Sequence, residues 1–312
     1  MKEWPLRLFT RLQAYLMVEG SPWPLAIFRV LLASSLVFEA SENVKRIKYY
    51  TPKTFHFPYV DFITPLPAEQ IQQIFEWQYI FAVMVLIGAL TPLAALGVIL
   101  TQGYVFFICQ LNFRNHIYMA LLFTFLLMVT PCARTLSVDA GLRWAYWTLR
   151  GQPEKAPPPQ WVNAIGQRVI GLQVFAIYLY ATLHKINPGF LTGYPLTKAL
   201  SRAIPKSFLA QWGWITPEQA QWMSERVAEP QWAALVAYLT VFSEGFLALG
   251  LLFPVTRPAA VLVGIGLHLS IGLSMNIITF GAMLVSAYVC FWMPRQRPII
   301  PATRINTDAP SD

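Results

Sequence analysis

Long apolar runs recur from one end of this chain to the other, with polar and charged residues gathered between them. At an α-helical rise of about 1.5 Å per residue, runs of this kind reach most or all of the way across a hydrocarbon layer of about 30 Å. Eight stretches predict membrane-crossing helices: residues 25–40, 75–90, 93–111, 116–130, 161–183, 232–253, 259–274 and 277–292. Several breaks between them are tight, namely Thr91-Pro92, residues 112–115, and Pro254 to Pro258. The break at Met275-Asn276 is so short that the last two stretches read either as separate spans or as one bent, re-entrant pair. Three breaks are longer, 41–73, 131–159 and 186–230; the last carries Trp212, Trp214 and Trp222 and is expected to lie along the interface.

At the start of the chain, Lys2, Arg7 and Arg11 are set against Trp4, Leu6, Leu8, Phe9, Leu12, Tyr15 and Leu16. That pattern predicts a short amphipathic helix on a membrane surface. No cleavable leader is expected, so the first span is read as retained. Residues 294–312 turn basic, then Pro-rich and polar, and predict a disordered tail after a single membrane domain over 1–293. The fold expected is thus all-α, a polytopic transmembrane helix bundle of about eight spans with an N-terminal amphipathic interfacial helix.

Composition strengthens that picture. The 312 residues are 56% hydrophobic and only 12% charged, against about 25% charged in a soluble domain. The net charge of +8 would suit nucleic acid in a soluble protein, but the basic residues flank apolar runs and suit anionic headgroups instead. Membrane lipids are therefore the expected surroundings, and nucleic acid is not an expected partner. Cys109, Cys132 and Cys290 are scattered, which argues against a disulfide framework, and no metal-ligand spacing is present. With eight spans both termini share a face. The basic residues of the outside segments then sit mostly in the longest loops, where charge counts least, so both termini are placed in the cytoplasm.

Ionisable residues at membrane depth are costly and mark function or structure. Under this topology Arg29, Arg168 and Glu244 fall roughly 6–13 Å from the inner face, as a self-neutralising structural ion cluster or, in the competing reading, as part of a proton path. The outer half gathers a different set. His116 opens the fourth span, His184 and Lys185 close the fifth, and His268 lies on the seventh. Glu39, Tyr104, Asn115, Tyr118, Tyr178, Tyr180 and Asn276 approach the same level. A terminal lysine ordinarily snorkels and tyrosines ordinarily anchor at an interface. Three imidazoles converging with one amine instead mark a candidate pocket opening to the periplasmic or lumenal side.

Four segments come in a telling order: Asn115-His116 with Tyr118; Ser137 with Asp139; Tyr178, Tyr180, Ala181, His184 and Lys185 with the later Gly193-Tyr194; and His268 to Asn276 followed by Phe280 and Met283. Over roughly residues 20–293 this order resembles the membrane domain of the vitamin K-dependent gamma-glutamyl carboxylase. It also resembles the wider group of horizontally transferred transmembrane (HTTM) domain proteins. The resemblance implies a lysine base, falling on Lys185, that deprotonates vitamin K hydroquinone or menaquinol. Reaction with oxygen then yields the epoxide, and carbon dioxide is captured on a glutamate. It also implies that His116 assists at the carbanion and that His268 belongs to the motif. His184 stands where the family has a second lysine. Asn115, Tyr118, Tyr178, Tyr180 and Asn276 are read with His268 as cofactor-binding, and Lys185, His116 and His184 as catalytic.

A lysine acts as a base near neutral pH when burial or neighbouring cations favour its neutral form, which a lipid-level pocket provides. Against an enzyme stand the replacement at His184 and the missing counterpart of the carboxylases' substrate domain. The alternative is a non-catalytic lipid- or quinone-binding subunit, or an assembly factor for an exported or lipoprotein partner that stands in for that domain. A transporter has less support, since no inverted repeat is visible.

Overall fold

The computed structural model describes residues 17–156, 161–292 and 296–298. The expected amphipathic helix over 1–18 lies outside the described residues but for Met17 and Val18. Most of the expected disordered tail lies outside them too. The chain divides into two compact units, Met1–Ile170 with Val289–Asp312, and Gly171–Tyr288.

The first unit is built on α1 (Trp23–Val44), α2 (Ala68–Ile87), α3 (Thr91–Phe107), α4 (Asn115–Met128) and the amphipathic α5 (Val138–Leu149). Helix α1 buries Leu25, Phe28, Arg29, Leu32, Leu36 and Ala40, a three- and four-residue spacing that keeps one stripe facing its neighbours. Phe28 meets Phe123 of α4 edge to face, ring centroids 5.6 Å apart. A second cluster packs Tyr50, Ile71, Phe75, Val105, Ile108 and Cys109. A small antiparallel sheet sets β1 (Val18–Gly20) between β2 (Val162–Asn163) and β3 (Gln296–Pro298), so part of the expected disordered tail is a strand.

The second unit holds the greater part of α6 (Ile165–Lys185), then α7 (Pro188–Leu191), α8 (Tyr194–Ala203), α9 (Phe208–Gln211), α10 (Pro217–Ala228), α11 (Pro230–Gly250), α12 (Arg257–Met275) and α13 (Ile278–Ala287). The stretch 186–230, expected as an interfacial loop, is therefore largely helical, and Trp212, Trp214 and Trp222 remain exposed on it. Prolines start these elements rather than break them. Pro24, Pro92, Pro188, Pro195, Pro217, Pro230 and Pro258 all sit in first turns, where no backbone N–H is needed.

Helices fall on all eight expected stretches, but length and hydropathy single out fewer as membrane-crossing. Among the described residues, α1, α11 and α12 are long and apolar enough to cross a membrane. Helices α3 and α4 are apolar but shorter, and α13 is lengthened by the 3-10 turn Tyr288–Phe291. The last two stretches are separate helices, α12 and α13, joined where Asn276 takes a positive φ of 58°. Asn tolerates that region better than most residues.

Candidate functional site

Residue Lys185 ends α6, and its ammonium donates to both carboxylate oxygens of Glu244 on α11, at 2.5 and 2.6 Å. The side chains are 25% and 11% exposed, and the ammonium also lies 5.8 Å from the Phe190 ring centroid. This pairing differs from the expected ion cluster. Glu244, taken as the counter-ion of Arg29 and Arg168, is engaged with Lys185. In the chain between α6 and α11, helices α7, α8 and α10 pack against α11, and Lys185 meets a residue far along α11.

Beside this pair lies a second group. Tyr178 on α6 is buried, and its hydroxyl lies 2.6 Å from His268 Nε2 on α12 and 2.5 Å from the Tyr288 hydroxyl. Phe280 closes on the His268 ring edge to face at 5.9 Å. The three residues assemble because small side chains let the helices approach. A Cβ on Gly264 would collide with the Tyr288 hydroxyl, and one on Gly281 would lie 2.8 Å from the His268 Cβ. His268 is 6% exposed, and its Nδ1 has no hydrogen-bond partner among the described residues. The Lys185 charge lies close enough to act on His268, and the Glu244 charge on Tyr178. Tyr288 and Glu244 thus join residues singled out from sequence, Glu244 in a different role and Tyr288 unnoticed, since one Tyr in an apolar run carries no signal of its own.

Other expected members of the site stand apart from it. His184 is exposed and stacks on the exposed Tyr180, centroids 5.7 Å apart. Asn276 accepts from the Phe208 amide at 2.8 Å and donates to the Lys206 carbonyl at 2.9 Å, which commits its side chain to holding α9 against the α12–α13 turn.

In the first unit, His116 Nε2 on α4 lies 3.4 Å from Glu39 Oε1 on α1, and Arg46 lies 3.6 Å from the same oxygen. One turn further along α1, Asn43 donates to Gln78 at 3.2 Å, and Gln78 donates to Gln102, three buried amides in series. Asn115 and Tyr118 are exposed, with the Tyr118 ring tilted against Phe106.

Arg29 is fully buried. It donates to the carbonyls of Cys132, at 3.1 Å, and Leu136, and feels the Asp139 charge. Ser137 caps α5, while Asp139 accepts from the Leu90 and Thr91 amides at the start of α3. This part of the sequence motif is structural, fastening the α2–α3 turn to α5. Arg168 is buried near the start of α6.

Among the described residues no cluster of His, Cys, Asp or Glu has the makings of a metal site. A family model described as HTTM domain matches residues 20–295. No solved structure matches the chain.

Proposed function

The chain belongs to the HTTM domain family, a membrane family related to the vitamin K-dependent carboxylase, and we propose that it binds a quinol of the vitamin K or menaquinol type and deprotonates it with Lys185. The observation that carries this reading is the Lys185–Glu244 pair beside the buried Tyr178–His268–Tyr288 group. A base must first lose its own proton, and Glu244 is the acceptor in contact. Moving one proton along that hydrogen bond turns a charged pair into a neutral one, a change that a low dielectric penalises less than water does. The neutral Lys185 amine then takes the proton from a quinol hydroxyl, so one O–H bond breaks and one N–H bond forms. When bound, the quinol supplies the electrons for reaction with oxygen.

The residues present suit such a substrate. The amine–carboxylate pair meets a phenolic proton, His268 Nδ1 is left for a ring oxygen, and Phe190 and Phe280 offer aromatic faces. In the first unit, His116, held by Glu39, is the candidate for the carbanion step of a coupled carboxylation, with carbon dioxide as co-substrate and an exported protein or lipoprotein as acceptor. We read the protein as multi-pass with both termini in the cytoplasm.

One observation favours a second reading, a non-catalytic quinone-binding subunit. Both oxygens of Glu244 hold the Lys185 ammonium, which is a resting charged pair. The test is incubation of the purified protein with vitamin K hydroquinone or menaquinol and oxygen, with epoxide measured by chromatography. Loss of a general base lowers rates by roughly 10²–10⁴-fold, and Lys185→Ala is expected to fall in that range. Glu244→Gln, which removes the proton acceptor, is expected to lose at least tenfold in turnover while remaining folded. Well-folded protein that yields no epoxide with either quinol sinks the enzymatic reading in favour of the binding subunit. Epoxide that survives Lys185→Ala sinks the assigned base.

A further inference from the structure

A neutral imidazole carries one N–H, and the Tyr178 contact decides where it sits. Buried charges are ordinarily paired, and no carboxylate bonds to His268 among the described residues, so the ring is taken as neutral. Two arrangements satisfy the 2.6 Å contact: the Tyr178 hydroxyl donates to Nε2, or Nε2–H donates to the phenol oxygen. A phenol is a far better proton donor than a neutral imidazole N–H, and a bare imidazole nitrogen is a far better acceptor than a phenol oxygen. The first arrangement therefore prevails. Tyr178 having used its only proton, the 2.5 Å contact to Tyr288 must be a bond donated by the Tyr288 hydroxyl. The chain runs in one direction, Tyr288 to Tyr178 to His268, and each bond polarises the next.

The consequence falls on the far side of the ring. With Nε2 accepting, the proton is on Nδ1, the ring nitrogen without a partner among the described residues, on a side chain that is 6% exposed. An unmet buried donor is destabilising, an arrangement that persists when a ligand supplies the acceptor. We propose that the Tyr288–Tyr178–His268 chain fixes His268 as the Nδ1–H tautomer, and that this N–H donates to a ring oxygen of a quinone-class ligand, orienting it beside the Lys185–Glu244 pair. His268 is then a binding and orienting residue, and Tyr178 and Tyr288 act through it. This inference rests on the quinol reading and adds the polarity of its recognition: the protein presents a donor, so it recognises an oxygen acceptor.

The test uses the full-length protein in phosphatidylcholine nanodiscs with ¹⁵N-labelled histidine and a menaquinone analogue carrying ¹³C at one ring carbonyl. Nitrogen chemical shifts are expected to show His268 with a protonated Nδ1 and a bare, hydrogen-bonded Nε2. Infrared difference spectra are expected to show the labelled carbonyl of one isotopomer shifted to lower frequency. His268→Ala is expected to abolish that shift and weaken quinone binding about tenfold. Tyr178→Phe, which keeps the ring and its packing, is expected to mix the two tautomers and reduce the shift.

A protonated Nε2 in the wild type overturns the proposal. So does bound quinone whose carbonyls are both unshifted, or a shift that survives His268→Ala; in those cases the quinol reading stands. A shift on a ¹³C-labelled lipid ester carbonyl that His268→Ala removes reassigns the donor to lipid and overturns the quinone. Folded protein that binds no quinone brings down the quinol reading, and the inference with it.

Discussion

A buried guanidinium held by backbone carbonyls makes a good test of what one side chain does in this protein. Arg29 is held by the Cys132 and Leu136 carbonyls, close to where Ser137 and Asp139 pin the start of α3. Truncating it removes a fully buried side chain and leaves those carbonyls without a donor, at about 1–3 kcal/mol for each buried group left unmet. Arg29→Ala is therefore expected to lower thermal stability in detergent strongly, while Lys185→Ala, removing a partly exposed partner, lowers it less. Unfolding midpoints of the two variants check the order. Cys132, in the same segment and outside the spans, has its thiol pushed up by burial. A raised thiol has less thiolate at a given pH than an ordinary cysteine, and the thiolate is the nucleophile. A maleimide at pH 8 is expected to leave Cys132 unlabelled in the folded protein and to label it after denaturation, as mass spectrometry would read.

Two helix junctions decide whether these residues meet. At the α2–α3 turn, Gly88 has a φ of 71° and Leu90 one of 47°, and a Cβ on Gly88 would collide with Arg29 and Ser137. At the α12–α13 pair, Gly264 admits the Tyr288 hydroxyl where any side chain would exclude it. Overpacking a close contact of this kind costs about 1–3 kcal/mol. Gly264→Ala is expected to destabilise by that order and also to break the Tyr288–Tyr178 bond. Gly88→Ala, far along the chain from the tyrosines, is expected to destabilise without that local effect. Unfolding midpoints read with ¹⁵N shifts of His268 separate the two: only Gly264→Ala should disturb the tautomer.

For the molecule as a whole, the apolar surface identifies the solvent. The apolar windows of α11 and α12 are 33% and 22% buried, against 61% in α1, although all three are comparably apolar. Exposed apolar helix of that length belongs in hydrocarbon, where every backbone group is satisfied within the helix. The proposed orientation puts the 186–230 stretch outside. A single cysteine replacing the exposed Trp214 is expected to react with a membrane-impermeant maleimide in intact cells. One introduced in the exposed Leu142 region of α5 is expected to react only after permeabilisation. The reverse pattern would invert the topology.

Composition and apolar periodicity determine that this is a helical membrane protein and place helices on its eight apolar stretches, while the order of its motifs directs attention to Lys185, His116 and His268. Burial of apolar side chains is a local property that repeats along a helix, so it is legible in one dimension. Partners are not. That Lys185 holds Glu244, that Arg29 is answered by carbonyls, that Asn276 clamps α9 and that Tyr288 completes a chain with Tyr178 and His268 depend on which helix faces overlap and at what offset. The four short helices between α6 and α11 carry no long apolar run, so the pattern of the sequence leaves the offset between those helices open. The spacing of α12 and α13 hung on glycines whose meaning lies in what approaches them. Contacts between residues far apart in sequence are set by packing, and only the tertiary structure decided them.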